Sequence, residues 1–150
     1  MSDFRVTVRI DPKLTAYLDP ETRRRKLRAA GAETLGYIET QVVEHTPVDR
    51  NLLRGSVFHD LRGFPIGPGK VATPSRYAVV VEEGRREKRK APPVAVIADW
   101  LGRHGANPAY AFVVARAIGR RGIKGKHMFR NAAANSARPA ERIFNRWLRF

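Results

Sequence analysis

Residues 19–47 read DPETRRRKLRAAGAETLGYIETQVVEHTP, and this stretch decides the fold. Leu27, Thr34, Leu35, Ile38 and Val42 recur at the spacing that lines one face of an α-helix. Asp19 suits an N-cap, Pro20 the first helical position, and Glu21 the positive end of the helix dipole. Residues Arg23 to Arg28 fall mostly on the solvated side. Pro47 disfavours helical backbone in the residue before it, so the helix should end at Thr46.

On the N-terminal side, FRVTVRI (residues 4–10) alternates apolar and polar side chains, the pattern of a half-buried strand that Asp11-Pro12 should end. On the C-terminal side, residues 49–62 predict a short helical piece capped by Asp49, then extended chain from Ser56 to Leu61. GFPIGPGK (residues 63–70) is turn chemistry, and Val71 to Pro74 fits a second hairpin arm. Tyr77 to Val81 is a short apolar run rich in β-branched residues and is read as a strand, with Tyr77 and Val81 on one face and Glu82 on the other. Gly84 should end it. Residues 84–93 are dense in charge and predict a flexible basic loop.

Three more helices follow. The first runs from Val94 to about His104, with Val94, Ile97, Ala98 and Leu101 on one face. The next covers Pro108 to Arg120, where Tyr110, Phe112, Val113 and Ile118 are apolar, and Gly105 and Gly122 punctuate the ends. The last starts near His127, with Phe129, Ala133, Ser136, Ala140, Ile143, Phe144 and Trp147 at helical steps. Pro139 should kink or split it. No internal repeat is present. The expected fold is α+β: one domain over residues 1–150, with a small antiparallel sheet packed on a long N-terminal helix and further C-terminal helices.

A chain of 150 residues is one domain's length and can bury a real core. The formal net charge of +15 points to nucleic acid, an anionic surface or an acidic protein as partner. With no cysteine, disulfides, thiolate metal sites and a thiol nucleophile are excluded. The opening MSDFRVTVRI lacks a signal-peptide layout, and no apolar run approaches the roughly 20 residues of a spanning helix, so a soluble protein without membrane contact is expected.

Few residues invite chemistry. His45, His59, His104 and His127 show no metal-ligand spacing and read as a helix end, a strand face and two loop edges. Ser56 follows Gly55 but has no nucleophile-elbow glycine after it. PIGPGK ends in Gly-Lys, yet Phe64 and Val71 stand where a phosphate loop needs Gly and Ser or Thr. Asp60, Glu82 and Glu83 could serve a metal-dependent nuclease if they met near Lys70 or Lys88, and that alternative stays open. No cofactor is expected.

Two basic clusters stand out: Arg85, Arg86, Lys88, Arg89 and Lys90, then Arg120, Arg121, Lys124 and Lys126. They are candidates for contact with a partner or with the DNA backbone, the latter salt-sensitive and without sequence preference. Without interleaved aromatics they do not suggest stacking on bases.

The order of three segments carries a resemblance. Pro47, Val48, Asp49, Leu53, Arg54 and Ser56 match a Pro-Val-Asp-Thr-Gly-x-Leu-Arg-x-Ser pattern. Tyr77, Ala78, Val81, Glu82 and Gly84 match Tyr-Ala-x-x-Val-Glu-x-Gly, and Phe129 and Ala133 match Pro-Phe-x-x-x-Ala. From about residue 20 onward the chain resembles the tail-completion or head–tail joining (minor tail component) proteins of long-tailed bacteriophages. Arg50-Asn51 replaces the usual Thr-Gly, and His127-Met128 stands before Phe129 where Pro is usual. The resemblance implies a structural, non-enzymatic subunit of the virion neck or tail, present in the host cytoplasm during assembly. It implies a six-fold ring of copies, with phage connector or adaptor and tail terminator or tube proteins as partners, and DNA in the channel. Under it, Pro47, Asp49, Leu53, Arg54, Tyr77, Glu82, Gly84 and Phe129 have structural roles. A stand-alone basic nucleic-acid-binding protein is the alternative.

Overall fold

The computed structural model describes residues 5–8 and 19–148. The fold is α+β, with five α-helices and a three-stranded antiparallel sheet among the described residues. The expectation of one domain meets a chain that divides into two compact units: residues up to Glu82 with those from Lys126 onward, and Glu83–Gly125.

In the first unit, α1 spans Pro20–His45. The Asp19 carboxylate accepts from the Glu21 and Thr22 amides at 3.1 and 2.9 Å, which satisfies two of the orphan donors at the helix start. Thr46 is extended and ends the helix before Pro47. All five residues read as the inner face are buried. Strand β1 (Val6–Val8) pairs with β3 (Gly69–Ala72), which pairs with β2 (Phe58–Asp60), giving the order β1-β3-β2. Val71 lies opposite both Val6 and His59 and is fully buried. Phe4, Ile10 and Asp11-Pro12, which bound the expected first strand, lie outside the described residues.

Helix α5 (Met128–Leu148) runs antiparallel to α1. Phe144 and Leu148 pack with Leu27 and Ala30, while Met128, Phe129 and Ala132 join Leu35, Ile38 and Val42. The helix passes through Pro139 as one element rather than splitting. Helix packing offsets the lost hydrogen bond, because α5 buries residues on both sides of the proline.

Two local expectations are corrected. Residues Tyr77–Glu83 form a helix, α2, and not a strand. A strand would bury alternate residues, but Ala78, Val81 and Glu82 are the buried ones, while Tyr77 is 62% exposed. Burial at steps of three and four overrides the β preference of the three valines. The N-cap position of the helical piece after Asp49 is Leu53 and not Asp49. That piece is a 3-10 turn over Arg54–Ser56, which starts from Leu53 with no side-chain cap.

The second unit holds β4 (Gly84–Arg85), α3 (Val94–Arg103), α4 (Ala111–Arg121) and β5 (Ile123–Lys124). A 3-10 turn at Pro108–Tyr110 precedes α4, and the Asn107 side chain caps that turn. Ile97 and Leu101 of α3 pack on Ala111 and Ala115 of α4 in a separate small core. The inner face of α4 consists of small residues, while Tyr110, Phe112 and Val113 face water.

Candidate functional site

The second unit brings together the two basic clusters except for Lys126. Strands β4 and β5 are antiparallel, with Gly84 opposite Lys124 and Arg85 opposite Ile123. The chain then runs along the end of α4, where the Lys88 amide donates to the Arg120 carbonyl at 3.2 Å and the Arg89 amide to that of Gly119 at 3.0 Å. The Arg85 guanidinium donates to the Lys90 carbonyl and closes the turn. Within residues 84–93, read from sequence as a flexible basic loop, Gly84 and Arg85 pair as a strand and Lys88, Arg89 and Lys90 make specific backbone bonds. Apart from the Arg85–Lys90 bond, the partners come from residues 119–124, beyond the reach of local sequence patterns. Gly84 (φ +79°) has no room for a side chain, since a Cβ there would meet the Ile123 carbonyl. Gly119 allows the strap to lie close, because a Cβ would sit 3.1 Å from the Ala91 Cα and the Arg89 oxygen.

Between this strap and α4 lies a cleft of about 510 Å³. Its apolar lining is Ala91, Val94, Phe112 and Ala115; its charged lining is Lys88, Arg89, Arg116 and Arg120. Among the described residues no acidic side chain lines it. None of the four cations forms an ion pair among the described residues. Phe112, Arg116 and Arg120 are four residues apart and so share one stripe of α4. Lys88 adopts φ +55°, a left-handed conformation that costs a side-chain-bearing residue about 1–2 kcal/mol.

Of the residues nominated from sequence, Lys88, Arg89 and Arg120 line the cleft. Arg85, Arg86, Lys90, Arg121 and Lys124 belong to the same unit outside its lining, and Lys126 belongs to the first unit, where its amide donates to the Val81 carbonyl at 2.7 Å. Arg116 and Phe112 were missed. The available signal was their four-residue step to Arg120.

The motif residues converge within the first unit. Glu82 is only 2% exposed, and its carboxylate oxygens accept from the Phe129 and Arg130 amides at 2.9 and 3.1 Å. This caps the start of α5 with an acidic group at the positive end of its dipole. Thr46 Oγ1 donates to the Val42 carbonyl at 2.6 Å and lies 3.3 Å from Met128 Sδ. Arg54 Nε donates to the Val43 carbonyl at 3.0 Å near the end of α1, and Leu53 is buried. Pro47, Asp49 and Tyr77 are exposed.

Of the carboxylates considered for a nuclease, Glu82 caps α5 and Asp60 is held by basic side chains. Asp60 receives the Arg62 guanidinium and amide, with Lys70 Nζ at 3.5 Å. The Arg62 hydrogen bonds, followed by the charges of Arg62 and Lys70, hold its carboxyl far below the usual range. Among the described residues no group of three His, Asp or Glu side chains is placed to hold a metal ion. No helix among them is long and apolar enough to cross a membrane. Comparisons with protein-family models, curated proteins and solved structures find no match.

Proposed function

We propose that this chain is a structural subunit of the bacteriophage neck or tail, joining head to tail as one copy in a homo-oligomeric ring. The observation that carries the reading is the meeting of its three resemblance segments. Glu82 of the second segment holds the amide of Phe129 in the third, and Thr46, at the edge of the first, touches Met128. Residues scattered over about half of the sequence thus form one frame joining α1, α2 and α5. Their roles there are capping and packing, which suits an assembly subunit. In this reading the partners are neighbouring copies, the connector or adaptor on one side, and tail terminator or tube proteins on the other. The protein is then carried in the virion and present in the host cytoplasm during assembly.

Electron microscopy of particles made with and without the gene product tests the proposal. Full heads beside separate tails are expected in its absence. Normally joined particles would remove the neck assignment. The second unit favours one other reading, a stand-alone nucleic-acid-binding protein, because ten Lys and Arg there face only Glu83, Glu87 and Asp99. DNA binding that weakens steeply with salt, by a protein dispensable for joining, would support it.

A further inference from the structure

We propose that the cleft between residues 88–94 and α4 binds a short acidic segment of a partner protein, one with an apolar side chain among its carboxylates. The inference concerns the second unit alone and does not rest on the neck assignment.

The lining dictates the ligand's chemistry. Four cations without an anionic partner among the described residues surround an apolar floor that includes Phe112 and Val94. Among the described residues Glu33, Asp60 and Asp99 are each engaged by an arginine, whereas these four cations share one cleft that no described acidic side chain lines. Arginine presents a planar fork of donors that matches a carboxylate in bidentate fashion, and Arg116 and Arg120 stand one helical turn apart. Carboxylates one turn apart on an acidic helix would meet them in register.

Cations alone would serve phosphate equally well. The floor separates the two classes. A duplex backbone offers phosphates and sugars and would leave Phe112 and Val94 against hydrated surface. These side chains are 61% and 44% exposed, apolar surface that a leucine-like side chain would cover. The volume suits a few side chains of a peptide rather than a duplex. Lys88 adds a further indication. Glycine would fit its left-handed backbone at lower cost, yet a lysine stands there and lines the cleft.

Fluorescence anisotropy tests this with the full chain and a labelled helical peptide of leucine and glutamate, at physiological ionic strength. Saturable binding is expected. Arg116→Glu combined with Arg120→Glu should weaken it about tenfold or more, and Phe112→Ser by a similar factor. Arg121→Ser with Lys124→Ser, outside the cleft, should leave it within about twofold. Lys88→Glu, on the strap, provides a second route should a helix variant misfold by circular dichroism. Equal binding of polyglutamate, or an unchanged affinity in Phe112→Ser, would overturn the proposal in favour of general charge attraction. Tighter binding of an oligodeoxynucleotide through the same residues would overturn it in favour of nucleic acid. No saturable binding below about 1 mM would also overturn it.

Discussion

Glu82 shows how one residue can look chemical in sequence and prove architectural in the fold. A carboxylate in a basic protein suggests a metal or an acid–base role, but this one is buried against two main-chain amides at the start of α5. Glu82→Ala would leave a buried N–H without a partner at Phe129 and should cost about 1–3 kcal/mol. Glu82→Gln keeps one acceptor oxygen but turns a donor NH2 toward the second main-chain amide, so it should also destabilise, by about 1–3 kcal/mol. Urea midpoints measure both, and equal stability of Glu82→Ala and the parent would refute the capping role. Asp60 sets a pH dependence of opposite origin. Hydrogen bonds from Arg62 depress its folded-state pKa, and Asp19 and Glu33 are depressed by Thr22 and by Trp147 with Arg146. A depressed carboxylate stabilises the fold fully above its unfolded pKa of about 4 and loses that contribution as pH falls toward the folded value. The urea midpoint should therefore fall between about pH 5 and pH 3, less steeply in Asp60→Asn. An identical slope in that variant would show that the Asp60–Arg62 pair contributes nothing.

At the scale of elements, α5 carries a conflict between local and tertiary preference. Pro139 removes one helical hydrogen bond, yet the helix continues from Met128 to Leu148 because both halves bury side chains against the first unit's core. Pro139→Ala should restore that bond and raise stability by about 1–3 kcal/mol, read as a higher urea midpoint. A lower midpoint would mean that the surrounding packing requires the proline. The same balance explains which elements were legible in the sequence. Helix α1 could be read because its cap, its buried stripe and its terminating proline all agree. Helix α2 could not, because Val79, Val80 and Val81 favour extended chain and the burial that outweighs them comes from residues distant in sequence. In α4 the inner face is made by Ala111, Ala115 and Gly119 rather than by its largest apolar residues. Small residues permit close approach, and Gly119 in particular accommodates the strap. The cleft was half legible for the same reason: Lys88, Arg89 and Arg120 lie in conspicuous charge runs, whereas Arg116 stands outside them, between Ala115 and Ala117.

At the scale of the whole molecule, the two units differ in what holds them. The first has large buried side chains on α1, β3 and α5, including Leu35, Ile38, Val71 and Met128. The second rests on Ile97, Leu101, Ala111 and Ala115, with half-buried Ala98, Val114 and Ile118 around them. It also carries ten basic side chains against three acidic ones. A smaller apolar core and stronger self-repulsion both lower local stability. The second unit should then open before the first, as a separate cooperative step. The chain's two tryptophans report on this directly, since Trp100 lies in α3 and Trp147 in α5. With Trp147→Phe, fluorescence follows the second unit; with Trp100→Phe, it follows the first. The Trp100 signal should change at lower urea, and added salt should shift that midpoint upward by screening the basic side chains. Coincident transitions would mean that the two units unfold as one body, because independent probes of a two-state protein report the same midpoint.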